Sequence, residues 1–189
     1  MNTRLLGWLC IIGSLIAIAD GLRLVISGHQ DIAGVRELDT LQYITQIVWA
    51  LGTLCGLIAL IRLKLVGTNP IFNILSYVPT VGYIALVIGL FLGMFGLPTE
   101  NNPVGIIGQL LSMAGMVVLA ILVLAAKTWK GWGKFTPLLI ILAIPAGAML
   151  VEITGLDGWF IIVNAAATAL FGYAILNSEL VAHWTRAIA

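Results

Sequence analysis

Six long apolar runs organise the chain, at about residues 5–27, 41–63, 71–96, 104–126, 135–153 and 158–177, each bounded by charge, proline or glycine. A helix rises about 1.5 Å per residue, so about 20 residues cross a hydrocarbon layer about 30 Å thick. Every run is close to that length. Inside hydrocarbon no water satisfies the backbone, which leaves helices and closed barrels as the spanning structures. These runs are continuous rather than alternating with period two, which excludes the barrel. The expected architecture is all-α: a polytopic integral membrane protein whose six-transmembrane-helix bundle occupies residues 1–189 as one domain. The connections 28–40, 64–70, 97–103, 127–134 and 154–157 are too short for another domain, and they make consecutive helices antiparallel neighbours.

The N-terminal stretch imitates a cleavable signal peptide, with Arg4 before an apolar segment and Ala17-Ile18-Ala19 as a small-residue site. Beyond Asp20, however, the apolar run resumes through Leu22, Leu24, Val25 and Ile26, so the segment is read as a retained span. Trp8 and Leu9 before Cys10 are too bulky for a lipoprotein site. Orientation follows from the cations, because cytoplasmic loops retain Lys and Arg. Arg4, Arg62, Lys64, Lys127, Lys130, Lys134 and Arg186 fall on one side, against Arg23 and Arg36 on the other. Both termini are therefore expected in the cytoplasm (N-in/C-in), in a multi-pass protein of the cell membrane. Asp31, Glu37, Asp39, Glu100 and Asp157 lie on the outer side and Glu179 on the inner. Trp8, Trp129, Trp132 and Trp184 fit an inner interfacial belt, and Tyr43 and Trp159 an outer one.

Much chemistry is excluded. A net charge of +1 supplies no basic face for nucleic acid. His29 and His183 are a membrane thickness apart, so one chain cannot hold a haem between two imidazoles. No His, Cys or carboxylate pair has metal-ligand spacing inside a run, and Cys10 and Cys55 form no CxxC. Ser27-Gly28-His29 lacks the Lys/Arg-Pro element and second His of membrane acid phosphatases. Asp20-Gly21-Leu22-Arg23 lacks the Gly and paired-Asp ladder of CDP-alcohol transferases. With neither a Gly-x-Ser-x-Gly elbow nor a Walker loop, no enzyme, metal or cofactor is expected.

Only 9% of residues are charged, so the ionised groups within the runs stand out. Asp20 and Arg23 share a face of the first run and can pair; Glu152 lies near the outer end of the fifth. Gln42, Gln46, Trp49, Thr53 and Gly56 form a stripe along the second run that should look inward. Gln109 and Ser112 on the fourth run, and Asn164 and Thr168 on the sixth, add polarity from the same side. The candidate outer-leaflet cluster is Asp20, Arg23, Gln42, Gln46, Gln109, Glu152 and Asn164, serving either interhelical hydrogen bonding or a ligand. The inner half offers Asn73, Ser76, Tyr77 and Thr80 around Pro79, where a bend or broken turn is expected. The pairs Gly13/Ala17, Gly52/Gly56, Gly89/Gly93 and Ala165/Ala169 are read as seams within the bundle. In the 28–40 loop, Ile32, Val35 and Leu38 recur at every third position, fitting a surface turn resting on headgroups rather than a lid. Asp39 should cap the second helix with Gln42 closing a capping box; Gly155 and Asp157 should end one helix and start the next.

No internal repeat supports a pore or an alternating-access transporter. The leading expectation is a non-catalytic accessory or structural subunit whose partners are the lipid bilayer and other membrane protein subunits. The alternative is a small-solute-binding or transport component taking a small-molecule ligand from the outer side; it predicts an outer-half cavity touched by Asp20, Gln46 and Glu152. In size, six spans and cytoplasmic termini the chain resembles the substrate-binding subunits of energy-coupling-factor vitamin transporters. That resemblance implies a ligand held in the outer half beneath a loop, and it carries over no site residue.

Overall fold

The computed structural model describes residues 2–28, 39–97 and 102–188, those beyond 178 by backbone alone. Its elements are α1 (Thr3–Ile26), α2 (Thr40–Arg62), α3 (Pro70–Leu75), α4 (Tyr77–Met94), α5 (Pro103–Ala126), a 3-10 turn (Trp132–Phe135), α6 (Thr136–Thr154) and α7 (Gly158–Ile188). Six helical stretches are long and apolar enough to cross a membrane, α3 with α4 forming the third and the 3-10 turn with α6 the fifth. The expected turn at Ile32, Val35 and Leu38 lies outside the described residues, as do Asp31, Arg36, Glu37 and Glu100. The side chains of Glu179, His183, Trp184 and Arg186 lie outside them too.

Local chemistry sets the helix ends. Asp39 accepts from the Gln42 amide at 2.7 Å while the Gln42 side chain accepts from the Asp39 amide at 2.8 Å, a complete capping box. Asn69-Pro70 and Asn102-Pro103 repeat one device: the Asn carboxamide caps the helix, and proline takes the first position, where its missing N–H costs nothing. Gly155 closes α6 in the left-handed region at φ 70°. The third span is broken as expected, but at Ser76, three residues before Pro79. A proline ring cannot donate to the carbonyl four residues back and crowds it, so the disruption falls on the preceding turn.

The helices form a closed ring in chain order, α7 returning to pack along α1. Small residues set the antiparallel seams. A methyl added to Gly82 would lie 2.3 Å from the Ser112 nitrogen, and one at Gly89 2.4 Å from the Gly105 Cα, so α4 and α5 touch backbone to backbone. Gly13 meets Gly52 between α1 and α2, while Gly7 meets Gly172 and Gly21 meets Gly158 between α1 and α7. The expected seams at Gly13, Gly52, Gly56, Gly89 and Gly93 are therefore internal. Gly105, Gly108, Ser112 and Gly115 add a stripe, at steps of three and four, not anticipated as a seam.

The two ends of the ring differ. At one, the Lys127 end, Leu65 and Val66 fold inward from the connection after α2, and Thr128 Oγ1 donates to the Leu65 carbonyl. With Leu6, Leu57, Leu60, Leu119, Phe171 and Ile175 they make a solid apolar core. Trp129 belongs to this core rather than to an interfacial belt: it is 3% exposed, packs on Phe171 and donates through Nε1 to Ser178. Tyr43 departs from the expected belt likewise, buried with its ring over Gly93. Both follow from azimuth, because an aromatic ring at interfacial depth turns inward where a glycine leaves room for it. Trp8 and Trp132 are exposed. Arg4, Arg62, Lys64, Lys127, Lys130 and Lys134 all stand at this end, and of the described cations only Arg23 stands at the other, the Asp39 end.

Candidate functional site

Toward the Asp39 end the bundle is hollow. A cavity of about 490 Å³ lies between α2, α4, α5, α6 and α7, with Ala17 contributed by α1. Its size falls in the range of small-molecule pockets, about 300–1,000 Å³. Among the described residues no charged side chain lines it. Three carboxamides do: Gln46, Gln109 and Asn164. Each stands six residues beyond the first residue of its helix, Thr40, Pro103 and Gly158 respectively, and all three helices begin at the Asp39 end. At about 1.5 Å per residue they share one level about 9 Å inside that end. The side chains of Gln46 and Gln109 make no hydrogen bond among the described residues, whereas Asn164 donates Nδ2 to the Phe160 carbonyl at 2.8 Å. Deeper walls are aromatic and aliphatic: Trp49, Tyr83, Met116, Ile140 and Ile144. Trp49 meets Tyr83 edge to face, and its Nε1–H is shut from solvent without an acceptor. A buried donor left unpaired costs about 1–3 kcal/mol, which an acceptor in the cavity would relieve.

The anticipated cluster divides in two. Gln46, Gln109 and Asn164 come together on the cavity; Asp20, Arg23, Gln42 and Glu152 do not line it. Asp20 is buried behind the wall. It accepts from Arg23 Nε at 2.8 Å and from Thr45 Oγ1 at 2.8 Å, and Thr45 itself lines the cavity. Arg23 also reaches Asp39 at 3.0 Å, so the charges tie the end of α1 to the cap of α2. Burial works to raise the Asp39 carboxyl, but the Gln42 amide and the Arg23 guanidinium donating to it prevail and hold it below the usual carboxylate range. Gln42 looks inward as expected but is used in the capping box, with its Nε2 unpartnered. Glu152 is exposed. The expectation that Asp20 and Glu152 touch the cavity is thus corrected. Thr45 screens one from it, and the other lies on the face of Ile144 eight residues on, about 12 Å nearer the end at 1.5 Å per residue. Asp157, the expected cap of α7, is buried with Oδ2 unpartnered; the Phe160 amide bonds instead to its backbone carbonyl at 3.0 Å.

Tyr83, Met113, Met116 and Phe160 were not anticipated on the wall. In an apolar run an inward and a lipid-facing aromatic look alike, and the nearest signal was the small-residue stripe that fixes how α5 faces α4. Among the described residues no group of three His, Cys, Asp or Glu could hold a metal ion.

Fold and site together define the class: an all-helical protein with six helices able to cross a membrane and, in one half, an amide-collared cavity with no charged side chain among its described walls. No family model, curated protein or solved structure matches the chain.

Proposed function

We propose that the chain is a non-catalytic integral membrane protein of the cell membrane that binds a small, uncharged molecule, acting as a solute-binding or transport component. The observation that carries this reading is the cavity: about 490 Å³, no charge among the described residues of its walls, and three carboxamides at one level. A charged ligand would lose its hydration there without a countercharge, whereas a neutral one regains hydrogen bonds from Gln46, Gln109 and Asn164. With the cationic Lys127 end in the cytoplasm, both termini are cytoplasmic and the cavity occupies the outer half. The second reading, an accessory subunit, is favoured by α6, the least buried of the six spans, whose flank another membrane subunit would cover.

The test uses the full chain in lipid nanodiscs, with the emission of Trp49 taken as the difference between wild type and Trp49→Phe. Neutral nitroxides should quench it saturably, and the cationic nitroxide TEMPO-choline should not. Gln46→Leu or Asn164→Leu should raise the half-saturating concentration about 5- to 150-fold, the loss of one buried hydrogen bond at about 1–3 kcal/mol. Quenching by every nitroxide merely in proportion to its concentration would refute a binding site.

A further inference from the structure

The cavity is not closed on all sides. Along α6, Thr136, Pro137, Ile140, Ala143 and Gly147 are buried, but from Ala148 to Gly155 no residue is. Just before this stretch Gly147 is seated against Phe160 and Asn164 of α7, while α5 and α6 form the sparsest seam between consecutive spanning helices. The same gap shows on α5, where Gln109, Met113 and Val117, one helix face at steps of four, both line the cavity and are exposed. Ile141 and Ile144 face them across the opening, half-buried, with exposed Ala148 next on that face.

Depth decides what the gap meets. Met113 stands ten residues from Pro103, and Ile144 ten residues from Thr154. At about 1.5 Å per residue both are about 15 Å from the Asp39 end, midway through a hydrocarbon layer of about 30 Å. The opening therefore faces acyl chains, not water. Above it, about 9 Å from the same end, stands the amide collar.

Resting on the binding role proposed above, we propose that the occupant is an uncharged amphiphile. Its hydrogen-bonding head sits at Gln46, Gln109 and Asn164, its hydrocarbon tail lies through the gap, and it arrives from the bilayer between α5 and α6 rather than from the aqueous face. The polarity of the site matches such a molecule lying in its ordinary membrane orientation, head toward the interface and tail toward the midplane. A freely water-soluble solute has no reason to meet a mid-depth opening. A charged lipid would bring a phosphate or ammonium to a collar of neutral amides with no countercharge.

Two probes separate this from the broader reading: monostearoylglycerol carrying a doxyl nitroxide on its chain, and water-soluble 4-hydroxy-TEMPO, both read by quenching of Trp49 in nanodiscs. The doxyl glyceride should quench saturably. Its onset in stopped flow should slow at least 10-fold in Met113→Phe/Val117→Phe, which places bulk at the mouth on residues that already face outward. Ala148→Phe on the opposite rim provides a second, independent obstruction. Saturable quenching by 4-hydroxy-TEMPO alone would leave the binding role standing and overturn the amphiphile. Glyceride quenching with a rate indifferent to both obstructions would overturn the lateral route. Failure of both probes would overturn the binding role itself.

Discussion

The α4–α5 seam offers a test in which two physical effects predict opposite signs. Gly82→Ala places a methyl 2.3 Å from the Ser112 nitrogen, and Gly108→Ala places one 2.4 Å from the Leu86 nitrogen. Ordinary contact begins at about 3.4 Å, so the helices must part by 3.4 − 2.3 = 1.1 Å or 3.4 − 2.4 = 1.0 Å. The obstructing atoms are backbone and cannot rotate away. Overpacking of this kind costs about 1–3 kcal/mol, against which alanine gains about 1 kcal/mol over glycine in a helix interior. Each single variant should lose up to about 2 kcal/mol net. One displacement of about 1 Å relieves both clashes, so the double variant should lose less than the sum, with a coupling of about 0.5 kcal/mol or more. Titration with SDS in mixed micelles, followed by far-ultraviolet circular dichroism, measures all four corners of the cycle. Stabilised single variants would mean that helix propensity governs and the close approach is absent. Strict additivity would mean that the two sites do not share a seam.

Other expectations are narrower. Ser178→Ala and Trp129→Phe should each destabilise the fold in the same titration, and the pair by about 0.5–1.5 kcal/mol less than their sum, because both delete the Trp129–Ser178 hydrogen bond. The folded-state pKa of Asp39 is depressed, so its contribution to stability is present above the unfolded carboxylate value of about 3.9 and lost as pH falls through the folded one. Acid unfolding monitored between pH 6 and 2 should therefore show Asp39→Asn with a flatter acid limb than wild type. In sealed right-side-out vesicles of a variant lacking Cys10 and Cys55, a cysteine at Lys130 should react with an impermeant maleimide only after permeabilisation; labelling in intact vesicles would reverse the orientation.

Much of this architecture was legible because hydrocarbon leaves the backbone few options. Run lengths located six spans to within a few residues, and the Asp39–Gln42 box and the Gly155 stop were readable as local chemistry. Depth was legible as well, since distance along a run is distance through the bundle: Gln46, Gln109 and Asn164 were placed in the correct half from position alone. Azimuth was not. Asp20 and Thr45 lie at similar depth, yet one is behind the wall and the other on it, a difference set by how α1 meets α2 at Gly13 and Gly52. Trp129 failed for the same reason, turned into the core, whereas Glu152 missed the cavity in depth, exposed nearer the helix end. The mid-depth gap was invisible to any reading of single runs, because it depends on how sparsely α5 meets α6 and not on a residue.

Pro145 stands inside α6, and its ring has no hydrogen to offer the carbonyl of Ile141, four residues back and on the rim of that gap. A spanning helix ordinarily spends every acceptor on itself. Here the Ile141 carbonyl lacks its regular helical donor, at a depth where hydrocarbon supplies none. On the lateral route proposed above, a visitor carrying a hydroxyl would meet at the rim a carbonyl without its regular donor, and a plain alkane of the same length would gain nothing from it.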